Sequence, residues 1–137
     1  MNIADAGPSN TATGVVVLEH TGGPDGFHYD WMIERPGVSD ERRLLTFRCE
    51  TRPDRAGSSP IACVRIGDHR AVYLTHEGDL GGGRGRVRRV ARGVCTALTL
   101  GSDRCACRVD WGDGPVDMIG RRTRVDGGVE HWVFGRA

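Results

Sequence analysis

From Gly14 onward the chain is a succession of short apolar or alternating runs. They are Val15 to His20, Tyr29 to Glu34, Leu44 to Cys49, Ala62 to Ile66, Ala71 to Thr75, Arg86 to Val90, Val94 to Leu100, Cys105 to Trp111, Val116 to Arg121 and His131 to Phe134. Each has the length of a strand, and glycine, proline and aspartate separate them as turns would. Cys105, Cys107, Val109 and Trp111 alternate with Ala106, Arg108 and Asp110, the pattern of a strand with one buried face. No window of about 11 residues carries apolar positions at three-and-four spacing without a glycine or proline breaking it. The 21 glycines further disfavour long helices. Many short strands with regular turns predict an all-β domain, a small closed or nearly closed β-barrel of short antiparallel strands, since closure removes exposed edges.

The small, polar residues 1–13 are expected to form a flexible N-terminal tail, leaving 14–137 as a single domain. Arg52 to Pro60, with Pro53, Gly57, Ser58, Ser59 and Pro60, is expected to be a surface loop. A chain of 137 residues can bury one core and no second. Hydrophobic residues at 38% and charged residues at 27% exclude a disordered chain. No apolar run of about 18 residues is present, and the N-terminus lacks the order of a secretory signal, so a cytoplasmic protein with no membrane partner is expected.

Five cysteines, Cys49, Cys63, Cys95, Cys105 and Cys107, are an odd number. Without a secretory signal they read as small buried apolar residues rather than a disulfide framework. Cys105-Ala106-Cys107 lacks the gap of a zinc knuckle and has no matching second pair. All basic side chains are arginine and the net charge is only +1, so position decides whether any arginine meets a phosphate. That charge disfavours wrapping of long nucleic acid but not the gripping of one terminal phosphate.

The sharpest chemical signal lies early in the chain. His20 ends the first strand, a turn with Gly22, Gly23, Pro24 and Gly26 follows, and the next strand opens with His28-Tyr29-Asp30. His28 and Asp30 leave one face of that strand, and a hairpin brings His20 across from them. Two imidazoles and a carboxylate gathered in this way form a facial metal site with open positions. A second group follows: Asp68-His69 precedes Tyr73, and Glu77 to Arg86 is rich in glycine. Glycines there permit close backbone approach, and Arg84 and Arg86 are candidates to face an anion. The stretch has no lysine and no helix pattern after it, which excludes a P-loop.

The order of these motifs resembles the 3′-phosphoesterase domain of bacterial DNA ligase D and its stand-alone relatives. The likeness is carried by Val15 to His20, by Phe27-His28-Tyr29-Asp30-Trp31-Met32-Ile33-Glu34, by Gly67 to Tyr73, and by Glu77-Gly78. With weaker similarity around Gly120 and His131-Trp132-Val133 it spans most of residues 14–135. The resemblance implies a small β-barrel with a manganese-dependent site, zinc or cobalt being alternatives. Such a site removes a 3′-phosphate or a terminal 3′-ribonucleotide from DNA or RNA ends. It further implies that His20, His28 and Asp30 are metal ligands, that His69 engages the phosphate, and that Tyr73 stands near the site. The implied partners are the 3′ end itself and DNA end-repair proteins. Two positions depart from the pattern: Met32 stands where the family has a phosphate-gripping arginine, and Ile61 where it has another basic residue. Arg48, Arg65, Arg84 and Arg86 are the candidate replacements for phosphate binding. The same residues leave open a non-catalytic module that binds a nucleic-acid end or a partner protein, and, ranked last, an oxygen-dependent iron enzyme.

Overall fold

The computed structural model describes residues 12–137, so positions 1–11 of the expected tail lie outside the described residues. Among the described residues there are nine strands: β1 (Thr13–Thr21), β2 (His28–Glu34), β3 (Leu44–Cys49), β4 (Ile61–His69), β5 (Gly78–Asp79), β6 (Arg86–Leu100), β7 (Arg104–Asp110), β8 (Pro115–Asp126) and β9 (Val129–Arg136). They follow the order β1-β2-β3-β4-β9-β8-β7-β6, and β6 also pairs with β1, which closes an antiparallel barrel of eight strands. The two-residue β5 pairs with the start of β6 and lies outside the closed ring. The expected all-β barrel is what the chain forms, and no helix among the described residues is long and apolar enough to cross a membrane.

Two strand expectations need correction. Ala71–Leu74 is a 3-10 turn rather than a strand. Its apolar residues satisfy no sheet; Tyr73 and Leu74 instead pack on the outside of the barrel. Arg86 to Val90 and Val94 to Leu100 are one continuous strand. Gly93 does not interrupt it, because the missing side chain lets the Asp110 carbonyl of β7 approach where a Cβ would stand. Register shifts lie between Val17 and Leu18 and between Cys95 and Ala97, the irregularities that let a long strand curve around a small barrel. The expected loop at Arg52 to Pro60 holds one 3-10 turn and is tied down by Arg52, whose Nη2 donates to the Val90 carbonyl at 3.0 Å.

Alternation within each strand sorts side chains into two sets. The inward set is a single large core around Trp31, Phe47, Trp132 and Phe134. Their rings meet mostly edge to face, with centroids 4.8 Å apart for Phe47 and Phe134 and 4.9 Å for Trp31 and Phe134. All five cysteines are buried and unpaired in this core, as expected of small apolar residues. Burial pushes the Cys105 thiol up to about 12, which keeps it protonated and inert.

The outward set on β1, β2 and β3 is apolar where a free barrel surface would be polar. Val16, Leu18, Met32, Leu44 and Val87 form a second buried cluster, roofed by Tyr73, Leu74 and Leu80. Residues 70–85 therefore fold back over the outer wall of the barrel. The space between that flap and the β1–β2 hairpin is where the candidate chemistry collects.

Candidate metal centre

The β1–β2 register places His20 directly opposite His28, and Leu18 opposite Asp30. The alternation of β2 sends His28 and Asp30 to the outward face, and His20 meets them from β1, as the hairpin argument expects. Their rings and carboxylate are close: His20 Nδ1 lies 3.3 Å from Asp30 Oδ2, and His28 Nε2 lies 3.2 Å from Asp30 Oδ1. The two imidazole centroids are 4.7 Å apart. One donor atom from each of the three residues falls within 4.8 Å of the other two. His28 and Asp30 are buried, with side-chain exposures of 6% each, and His20 is 16% exposed.

Both histidines are oriented by backbone carbonyls on their far sides. His28 Nδ1 lies 3.2 Å from the Gly26 carbonyl, and His20 Nε2 lies 2.6 Å from the Arg84 carbonyl. A carbonyl only accepts, so each of these nitrogens carries the proton. In the neutral rings the lone pairs then sit on His20 Nδ1 and His28 Nε2, both directed at the Asp30 carboxylate. His28 Nε2 and Asp30 Oδ1 are buried and neither makes a hydrogen bond. Acceptors gathered in this manner require a positive charge between them, supplied by a proton or a cation. Two nitrogens and a carboxylate oxygen, each nitrogen backed by a carbonyl, are a donor set that fits a divalent transition metal. Burial alone would raise the Asp30 carboxyl; the positive charge of protonated His28, then of His20 and His69, outweighs it and holds the carboxyl below its ordinary value.

The centre opens onto a cavity of about 210 Å³ lined by Leu18, His20, Pro24, Asp25, Asp30, Met32, His69, Tyr73, Leu80, Arg84 and Val87. His69 and Tyr73, picked out from sequence, thus share a space with the histidine–aspartate group. His69 Nδ1 donates to the Gly67 carbonyl at 2.7 Å, which leaves Nε2 as the ring's working nitrogen. The Tyr73 ring stands edge-on to His69 with centroids 5.7 Å apart, and the Arg70 guanidinium lies over the Tyr73 ring, 5.9 Å from its centroid.

The four candidate arginines separate. Arg48 is opposite Asp30 across the β2–β3 ladder and so projects from the same wall. Its Nη2 reaches Asp25 at 3.4 Å and its buried Nε has no partner. Arg84 lines the cavity, but its guanidinium is taken up by the Leu80 and Gly81 carbonyls of its own turn. Arg65 lies opposite Phe47, among inward-facing positions, and Arg86 lines a neighbouring hollow with Glu19, Thr21 and Arg88. Neither borders the cavity. Met32 forms part of the cavity wall and is 1% exposed, whereas Ile61 belongs to the barrel interior. A basic residue at position 61 would point away from the site.

Sequence reasoning missed the Arg84 carbonyl and Asp25. Neither carries a motif: one is a backbone atom, the other an acidic residue in a turn. The available signal was the pair of glycine-rich turns, which have to approach each other for His20 to find its tether. No protein-family model matches the chain, and no curated protein matches it either.

Proposed function

We propose that this chain is a metal-dependent phosphoesterase acting on 3′ ends of DNA or RNA, removing a 3′-phosphate or a 3′-ribonucleotide. The observation that carries the reading is the convergence of His20 Nδ1, His28 Nε2 and the Asp30 carboxylate at the edge of a cavity that also takes in His69 and Tyr73. A divalent ion held by those three residues, manganese being the first candidate and zinc or cobalt the alternatives, would supply charge neutralisation for phosphate oxygens. His69, held through Nδ1, presents Nε2 to bind a phosphate oxygen or to hand a proton to the leaving oxygen. Tyr73 and the apolar side chains Leu18, Met32, Leu80 and Val87 exclude water from one side of the cavity. At about 210 Å³ the space falls below the roughly 300–1,000 Å³ of pockets for drug-sized ligands, which suits one terminal group with the rest of the strand outside. Arg48, on the wall that bears Asp30 though not among the residues lining the cavity, is the arginine proposed to replace the grip that Met32 does not provide. This reading places the protein in the cytoplasm, with DNA end-repair proteins as further partners.

The test is manganese-dependent release of phosphate from a 3′-phosphorylated primer. Turnover that disappears in His28→Ala supports the proposal. Tight metal binding with no product from any 3′-modified end would favour a second reading, a non-catalytic module that binds the end. Met32 supports that alternative, because an apolar side chain occupies the wall where the resemblance has an arginine.

A further inference from the structure

Two glycine-bearing turns meet beside the candidate metal centre. One joins β1 to β2 and contains Gly22, Gly23 and Gly26; the other joins β5 to β6 and contains Gly81 to Gly85. They touch backbone to backbone. A Cβ on Gly23 would stand 2.6 Å from the Arg84 carbonyl oxygen and 3.3 Å from His20 Nε2. A Cβ on Gly85 would collide with the Thr21 carbonyl and stand 2.6 Å from the Gly23 nitrogen. Real Cβ atoms do not approach backbone so closely, so each position admits only glycine unless the turns separate. Gly82 and Gly83, in the same turn, have nothing within 4 Å of their missing side chains.

We infer that Gly23 and Gly85 are positioning residues for the metal centre: by letting the two turns dock, they seat the Arg84 carbonyl on His20 Nε2 and fix Nδ1 as the nitrogen turned toward Asp30. The inference deepens the proposed function and rests on it for its bearing on metal binding. The chain of causes is short. His20 Nε2 lies 2.6 Å from the Arg84 oxygen, so the proton stays on Nε2 and the lone pair stays on Nδ1. Nδ1 lies 3.3 Å from Asp30 Oδ2, within the group whose donor atoms cluster inside 4.8 Å. Without the carbonyl the ring is free to turn over or to exchange tautomers, and the set of lone pairs facing Asp30 is no longer fixed. The Arg84 side chain has no part in this, since its guanidinium bonds its own turn.

Gly23→Ala is the informative variant, because Gly23 does not have a positive φ and the substitution adds only the steric contact. Gly83→Ala is the control: its φ of 71° imposes the usual left-handed strain, but its Cβ meets nothing. Two measurements decide the matter. Nitrogen-15 spectra of the histidine side chains in the metal-free protein should show His20 protonated on Nε2 in the wild type and in Gly83→Ala. In Gly23→Ala the same spectra should show a mixture of tautomers. Competition with a coloured chelator for manganese or zinc should show Gly23→Ala weakened by about 10- to 100-fold, the range for lost outer-shell partners, and Gly83→Ala within about twofold of wild type. A wild-type His20 protonated on Nδ1 with Nε2 bare overturns the inference whether or not any variant folds. So does a folded Gly23→Ala with unchanged tautomer and affinity. If His20 shows the expected tautomer but the wild type takes up no divalent ion, the tether stands and the metal-dependent function fails.

Discussion

His28 Nε2 and Asp30 Oδ1 face one another at 3.2 Å, both buried, and neither makes a hydrogen bond. A buried pair of this kind gains most from a cation. Manganese, zinc or cobalt at about 100 times the dissociation constant should therefore stabilise the fold by about 2.7 kcal/mol. The expected result is a rise of several degrees in Tm that a chelator reverses and that Asp30→Asn does not show. An equal rise in Asp30→Asn would place the bound ion elsewhere.

His69 should separate binding from turnover. It shares the cavity with His20 and Asp30 but does not belong to the group of three candidate ligands. His69→Ala is expected to keep manganese affinity within about twofold while lowering release of phosphate from a 3′-phosphorylated primer by about 100- to 10,000-fold, the usual contribution of a positioned acid or base. Steady-state rates with chelator titration of the same preparation measure both.

Arg48 tests how the cavity manages without an arginine at position 32. Removing Arg48 takes a charge from the wall that bears Asp30 and frees the exposed Asp25. If Arg48 grips phosphate, Arg48→Ala loses about 2 to 4 kcal/mol of transition-state stabilisation, read as a fall in kcat/KM, and Arg48→Lys recovers part of it. Equal kcat/KM in all three proteins would remove Arg48 from the site.

The pH dependence of folding should carry the mark of Glu34. Burial alone would raise its carboxyl, but the Gly14 amide and the Arg43 guanidinium outweigh burial and hold it below its ordinary value. A depressed folded-state value means stability that is fully present above the unfolded-state value and lost as pH falls through the folded one. Glu34→Gln should therefore melt lower than wild type near pH 7, with the gap closing in acid. Melting curves from pH 7 to pH 2 would reveal a gap that stays constant if the ion pair contributes nothing.

Gly120 reports on the core alone. A Cβ there would enter the Phe134 ring. Gly120→Ala should cost about 1–3 kcal/mol by overpacking, seen in chemical denaturation, while metal affinity stays as in wild type.

Much of this was readable from residue order. The alternation of Cys105 to Trp111 and the turns between short runs specified strands, and a ring of strands is the arrangement that spares such a chain its edges. His20, His28 and Asp30 were legible because a hairpin is a local object whose register follows from its turn and its pleat. Ala71 to Leu74 misled because a four-residue apolar run has no period, and only the apolar outer wall it covers decides its shape. Arg65 and Arg86 could not be placed from composition, since one residue of register decides whether an arginine faces the barrel interior, a neighbouring hollow or the cavity.

The second pairing of β1 has one further consequence. β1 meets β2 through a short turn, but it meets β6 only after most of the chain has been laid down, and that contact is the seam that shuts the ring. His20 stands near the end of that seam and takes its tether from the turn that leads into β6. The hairpin can gather its donors early, yet His20 is locked only when the turn into β6 has docked against it. Tight ion capture would thus serve as a signature that this seam has closed.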